Sequence, residues 1–190
     1  TSAEYVLRHV LAGNGLNYGT DVIVEWYNTS EEVQARMEAN RSVNAKSVVM
    51  LEQPDAQEIT NQINRFNLVA DLTSEWITLN PNRLPVASVL IADKDFIKDN
   101  EEQVSEFLDT YEASLNYTVG NPDYVASFTE SYGITTADVA VDAISFGKLT
   151  YLEGKYMKSV LEGFYETLYQ QNEELLGGVL PEEEFYYIEK

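Results

Sequence analysis

Hydrophobic positions follow two different patterns along this chain, and the pattern changes near residue 92. Before that point, short runs of β-branched and aromatic residues alternate with segments of helical spacing. Beyond residue 96, apolar residues recur mainly at spacings of three and four, as they do on one face of a helix. We therefore predict an α/β region over residues 1–92 and a helical region over residues 93–190.

The first region contains four apolar runs with the composition of strands: residues 21–27, 48–51, 68–72 and 88–92. Short uninterrupted runs of this kind are typical of strands buried inside a parallel sheet. One helix is predicted from the Thr1 and Ser2 cap to Gly13, and a second from Asn28 to about Asn40. Alternation of helix and strand predicts βαβ units and hence a mainly parallel sheet.

The second region is predicted to form a series of helices. The first is expected to begin after Asn100, and the second at Pro122, because proline favours the first helical position. Two more are predicted over residues 136–144 and 155–172, with the last stopping at Gly177 and Gly178.

The charge of the chain restricts its partners. There are 32 acidic and 12 basic side chains, a formal net charge of −20, so nucleic acid and anionic membrane surfaces would be repelled. No apolar run reaches the roughly 18–20 residues that cross a bilayer. The absence of cysteine excludes disulfides, thiolate metal ligands and cysteine nucleophiles.

Candidate catalytic residues are few. His9 is the only histidine, and its apolar neighbours in the first predicted helix favour a packed or surface side chain over a general base. Acidic runs at residues 31–32, 101–102 and 182–184 adjoin helix starts or the tail, where solvated carboxylates are usual. No glycine-rich phosphate loop is present. We predict no enzyme activity, no metal and no cofactor.

A set of short segments occurs along nearly the whole chain in a characteristic order. They are EYVL (4–7), NGL (14–16), DVIVEW (21–26), EEV (31–33), LEQP (51–54), ADLTSEW (70–76), DKDFI (93–97), FL with YEAS (107–114) and the tail from Gly177 to Tyr187. This order resembles the substrate-binding proteins of ABC importers, in the nitrate, sulfonate and thiamine-precursor-like group of Gram-positive anaerobes.

The resemblance implies a type II periplasmic-binding-protein fold, in which two α/β lobes enclose one small ligand. Residues 1–92 resemble the second lobe, and the later helices would pack back on an N-terminal lobe. The chain begins at a helix cap without an initiator methionine, so we interpret it as the C-terminal part of such a protein. The implied location is extracytoplasmic, as a lipid-anchored or secreted bacterial protein, and the implied partners are a small-molecule solute and the permease.

Candidate ligand-binding residues follow from two features. Thr1 and Ser2 stand at a helix start suited to an anionic group, although a plain N-cap explains them as well. Glu52, Gln53, Pro54 and Asp55 follow a predicted strand, at the edge where open α/β sheets place ligands. The resemblance adds two departures: Asp55 replaces a usual aromatic residue, which favours a cationic or polar ligand, and Phe146 lies where related chains carry a Pro-Lys-Cys-like segment.

Three functions stay open at this point. The favoured one is the solute-binding component of an importer, which catalyses nothing. A truncated protein-interaction module is the second. The third is an enzyme like the pyrimidine synthases of the same superfamily, which use a cysteine-rich motif and a histidine; the lack of cysteine and the position of His9 count against it.

Overall fold

The structure, a computed structural model, describes residues 2–43, 47–63, 66–81 and 83–188 and shows an all-helical protein. Across these residues no sheet forms, and the one β-bridge pairs Tyr18 with Val22. The α-helices in chain order are α1 (Ser2–Gly13), α2 (Ser30–Ser42), α3 (Asp55–Gln62), α4 (Leu72–Leu79), α5 (Lys94–Asp99), α6 (Glu101–Gly120), α7 (Pro122–Ser131), α8 (Ala137–Phe146) and α9 (Gly154–Gln171). Two short 3₁₀ helices follow, Glu173–Leu176 and Glu183–Phe185.

The predicted α/β lobe with a mainly parallel sheet is therefore wrong. Most residues of the four apolar runs belong to no helix or strand, and Ile23, Val48 and Ile91 leave 83%, 86% and 85% of their surface exposed. A β-branched run becomes a strand only when a partner strand supplies its backbone hydrogen bonds. In the described part of the chain, none of the four runs provides backbone hydrogen bonds to another run. Residues 68–72 also contain the start of α4.

The predicted helices are confirmed as α1, α2 and α6 to α9. The Thr29 hydroxyl accepts from the Glu32 N–H at 3.3 Å at the start of α2, and Pro122 opens α7. Gly177, beyond α9, adopts a left-handed φ of 69° that suits glycine. Three short helices, α3, α4 and α5, were not predicted.

Contacts divide the chain into two units. Unit 1 comprises Thr1–Val24, Val69–Leu108 and Leu152–Lys190, and unit 2 comprises Glu25–Leu68 and Asp109–Tyr151. The predicted boundary near residue 92 stays a prediction.

Unit 1 has an aromatic core between α1, α4 and α9. Trp76 of α4 is completely buried, and its ring centroid lies 4.6 Å from that of His9 and 5.6 Å from that of Phe164. Leu168 completes the cluster, against which Tyr5 and other half-buried residues pack. Helical residues, not strands, thus occupy the interior of this unit.

Unit 2 buries residues of α3, α7 and α8. Ile59, Ala126, Val139 and Ala140 are all buried there, and α8 contacts both of the other helices. The Gln57 side-chain amide of α3 also donates to the Asp142 carboxylate of α8 at 3.1 Å. This packing holds the start of α3, which carries four of the candidate ligand residues.

Helix α6 buries none of its residues, and its apolar stripe was expected to pack on an N-terminal lobe. Phe107 and Tyr111 are exposed. The expectation that an N-terminal lobe covers these helices stays a prediction. Among the helices that the structure describes, none combines the length and hydropathy needed to cross a membrane.

Candidate functional site

The segment from Glu52 to Asp55 forms the entry to α3 in unit 2. The Glu52 carbonyl accepts from the Ala56 N–H at 2.9 Å, and the Pro54 carbonyl accepts from the N–H groups of Gln57 and Glu58 at 3.0 Å each. The Gln53–Pro54 peptide bond is cis. The hydrogen bonds to the Glu52 and Pro54 carbonyls hold the four predicted residues in one turn at the helix start. We call these residues, Glu52 to Asp55, the Gln53 turn.

Gln53 is the unusual residue of this turn. Its side-chain carbonyl oxygen is buried and accepts no hydrogen bond from any residue in the described part of the chain. Leaving such an acceptor unsatisfied costs about 1–3 kcal/mol, so a ligand that donates a hydrogen bond there would recover that cost.

The neighbouring carboxylates set the charge of the turn. Glu52 is exposed and Asp55 is half-buried, in the first turn of α3, where the helix dipole favours a negative group. A carbonyl acceptor in a turn that carries two carboxylates suits an ammonium, amidinium or amide N–H donor better than an anion. The cationic or polar ligand expected from Asp55 stays a prediction.

Phe146 is the last residue of α8, and its side chain is 53% exposed. Because α8 packs on α3, Phe146 belongs to the same unit as the Gln53 turn. It offers an exposed aromatic surface, and its part in ligand binding stays a prediction.

Ser2, the exposed first residue of α1, belongs to unit 1. Thr1 lies outside the described residues. The predicted helix-start site and the Gln53 turn thus fall in different units, and each stands by itself.

His9 has a packing role in unit 1. Its Nε2 lies 2.8 Å from the Asn80 side-chain nitrogen, and its ring lies against Trp76. Across the described residues, no group of three or more histidine or acidic side chains is arranged to hold a metal ion.

An open cleft of about 520 Å³ in unit 2 was not predicted. It is lined by Trp26, Tyr27, Asn28, Glu32, Ala35 and Arg36. The Arg36 guanidinium donates to both Glu25 oxygens, at 2.8 and 3.0 Å, and lowers the pKa of that carboxyl; the Tyr27 hydroxyl, which also donates to Glu25, lowers it further. Arg36 is thereby already neutralised. In the sequence, the only sign of this cleft was the pair of adjacent aromatic residues, Trp26 and Tyr27, followed by the polar Asn28.

A smaller cleft of about 330 Å³ lies in unit 1 and is lined by Lys155, Lys158, Ser159, Glu162, Glu183 and Ile188. Lys158 pairs there with Glu162 and Glu183, and the hydrogen bond to Glu183 is the main cause of its raised pKa. Of these sites, only the Gln53 turn contains a buried polar group without a partner in the described structure.

Comparisons with protein-family models, with curated proteins and with solved structures find no match to this chain.

Proposed function

We propose that this protein is the solute-binding component of an ABC importer and holds a small, hydrogen-bond-donating solute at the Gln53 turn. The observation that carries the proposal is the buried, unsatisfied carbonyl of Gln53, in the segment that the resemblance assigns to the ligand. The helical fold differs from the α/β lobes of that class, so the proposal does not rest on the fold.

The chemistry of the turn defines the class of solute. Glu52 and Asp55 lie one residue before and two residues after Gln53 in the chain and supply negative charge, so an amine or amidine would gain both a hydrogen bond and charge complementarity. Binding would favour whichever conformation of the protein makes these contacts, and the permease would recognise that conformation. Extracytoplasmic location and a permease partner belong to this proposal and come from the resemblance.

Thermal unfolding tests the proposal with a panel of amines, polyamines, amino acids, pyrimidines and small anions. We expect an amine-bearing solute to raise Tm, because a ligand that binds only the native state stabilises it by mass action. Gln53→Met keeps the length of the side chain and removes the acceptor. This variant should lose the ligand-induced rise while its unliganded Tm stays equal or increases, since an unsatisfied buried acceptor is gone.

Gln103→Met is the matched control, because Gln103 is an exposed residue of α6. It should keep the full rise in Tm. The proposal fails if no solute raises Tm, or if Gln53→Met responds to the solute as the unsubstituted protein does.

A protein-interaction module is the second candidate. The observation in its favour is the number of large apolar side chains that are exposed on helices, such as Phe107, Tyr124 and Phe128. The two functions are separable, because an interaction module would show no solute-dependent change at Gln53.

A further inference from the structure

Three aromatic side chains of unit 2 form a continuous exposed row, which we call the aromatic ladder: Tyr117, Tyr124 and Phe128. The ring centroids of Tyr117 and Tyr124 are 6.2 Å apart and those of Tyr124 and Phe128 are 5.1 Å apart, both in edge-to-face contact. The rings are nevertheless 52%, 57% and 44% exposed. Contiguous exposed apolar surface of this kind typically marks an interaction site.

The ladder is built on regular helices, which distinguishes it from the exposed apolar residues that lie outside the helices. Tyr124 and Phe128 are four residues apart on α7 and so share one face, and Tyr117 lies in the last turn of α6. The Asn121 side chain donates to the Tyr117 carbonyl at 2.9 Å and ties the end of α6 to the start of α7. The rings are thus held in place before any partner arrives.

The chain segment that carries the ladder has charge of one sign. Residues 99–147 include no lysine, arginine or histidine, and they carry Asp99, Glu101, Glu102, Glu106, Asp109, Glu112, Asp123, Glu130, Asp138 and Asp142. Asp123 and Glu130 lie on α7 itself, and both are exposed. An exposed aromatic row on helices whose charged residues are all acidic is complementary to a partner that is both apolar and basic.

We propose that the aromatic ladder binds a basic amphipathic helix of another protein. The separation of neighbouring rings, 6.2 and 5.1 Å, is close to the roughly 5.4 Å rise of one helical turn, so apolar residues on successive turns of a helix meet successive rings. Lysine and arginine beside that apolar stripe would face Asp123 and Glu130. A second copy of this chain, with its charge of −20, is repelled from the same surface.

The test uses a synthetic helical peptide of repeated Leu-Lys-Lys-Leu-Leu-Lys-Leu heptads and its counterpart with glutamate for lysine, with affinities measured by fluorescence anisotropy. We expect only the lysine peptide to bind, and its affinity to fall as salt rises. The double substitution Tyr124→Ser with Phe128→Ser should weaken binding by about tenfold or more, because aromatic anchors contribute most of the energy in such interfaces. Tyr156→Ser, at an exposed position of α9, is the matched control and should change the affinity by less than about twofold.

A pair of charge variants separates the local acidic rim from general attraction to an acidic protein. Asp123→Asn with Glu130→Gln should weaken binding by about threefold and flatten its salt dependence. Glu101→Gln with Glu102→Gln removes the same charge at the other end of α6 and should have a smaller effect. The proposal is overturned if both charge variants act equally, if Tyr156→Ser matches the ladder variant, or if the glutamate peptide binds as well. Because none of these positions belongs to the Gln53 turn, solute binding is measured separately.

Discussion

At the residue level, two side chains in the described structure bury a polar atom that has no hydrogen-bond partner. The two side chains lie in different surroundings, so the missing hydrogen bond has a different meaning for each. The indole nitrogen of Trp76 is enclosed by the aromatic core of unit 1, where burial of the large ring outweighs one unsatisfied N–H. Gln53 lies in a half-buried turn outside the aromatic core, but its carbonyl oxygen is itself buried, so a solute reaches that oxygen only if the turn rearranges on binding.

The first residue-scale prediction concerns Trp76. Trp76→Ala should lower the free energy of unfolding by about 3–5 kcal/mol, because it leaves a cavity beside His9 and Phe164. Urea denaturation followed by circular dichroism measures the change. Trp26→Ala is the matched control at the other tryptophan, whose side chain is 45% exposed, and it should cost much less. Equal losses in the two variants would contradict the burial of Trp76.

The second residue-scale prediction concerns pH. Hydrogen bonds from Arg36 and then Tyr27 lower the folded-state pKa of Glu25 below its ordinary 4.5. A carboxyl with a lowered folded pKa stabilises the folded state above its unfolded pKa, and this stabilisation is lost as the pH falls from 4.5 through the folded pKa. Urea midpoints should therefore decline more steeply below pH 4.5 in the unsubstituted protein than in Glu25→Gln. Parallel curves would show that the pair contributes nothing.

At the scale of elements, local signals explain which helices were predicted. Helix α7 combines a proline at its start with more than two turns of periodic sequence, and α2 has the Thr29 cap and an acidic first turn. Helix α4 has only eight residues, so its period is hard to recognise, and Asp71 begins it by accepting from the Thr73 N–H at 3.0 Å. Its start lay inside an apolar run that favoured a strand. Composition was a weaker guide there than the cap.

The element-scale prediction concerns the contact between α1 and α4. A Cβ on Gly13 would lie 2.6 Å from Leu79 Cδ2 and 3.0 Å from Leu79 Cγ, so Gly13→Ala should destabilise the protein by about 1–3 kcal/mol through overpacking. In a Leu79→Ala background the obstruction is absent, and the same substitution should become neutral or stabilising, because alanine favours a helix over glycine by about 1 kcal/mol. A double-mutant cycle in urea measures this coupling. Additive effects would show that Leu79 does not restrict Gly13.

At the scale of the whole molecule, the excess of acidic side chains is the dominant electrostatic feature. With 32 acidic and 12 basic residues, repulsion within the folded state is expected to be screened by salt. This property depends on composition and not on the predicted sheet, so it survives the correction of the fold.

The whole-molecule prediction follows directly. Tm should rise as sodium chloride increases from about 0.01 to 0.3 M, because the Debye length contracts from about 30 Å to below 10 Å. Differential scanning calorimetry measures the shift, and potassium chloride should reproduce it. A Tm that falls with salt would mean that ion pairs such as Arg83–Glu166 outweigh the repulsion.

The candidate site was predictable in part. Its four residues around Gln53 were selected from the sequence, but for a reason that the structure removes, since they precede a helix and do not follow a strand. The buried state of the Gln53 carbonyl was not predictable, because it depends on neighbours that only the folded chain supplies.

Local sequence signals were enough to specify the six longer helices, and composition was enough to specify the acidic character of the chain, because caps, proline positions and helical periodicity act within a few residues and charge depends on composition alone. The state of the apolar runs at residues 48–51 and 88–92 depended instead on tertiary contacts. A strand needs hydrogen bonds from a distant part of the chain, and in the described structure helices occupy the cores instead. The same dependence on distant neighbours decided that Trp76 is buried while Tyr124 and Phe128 stay exposed.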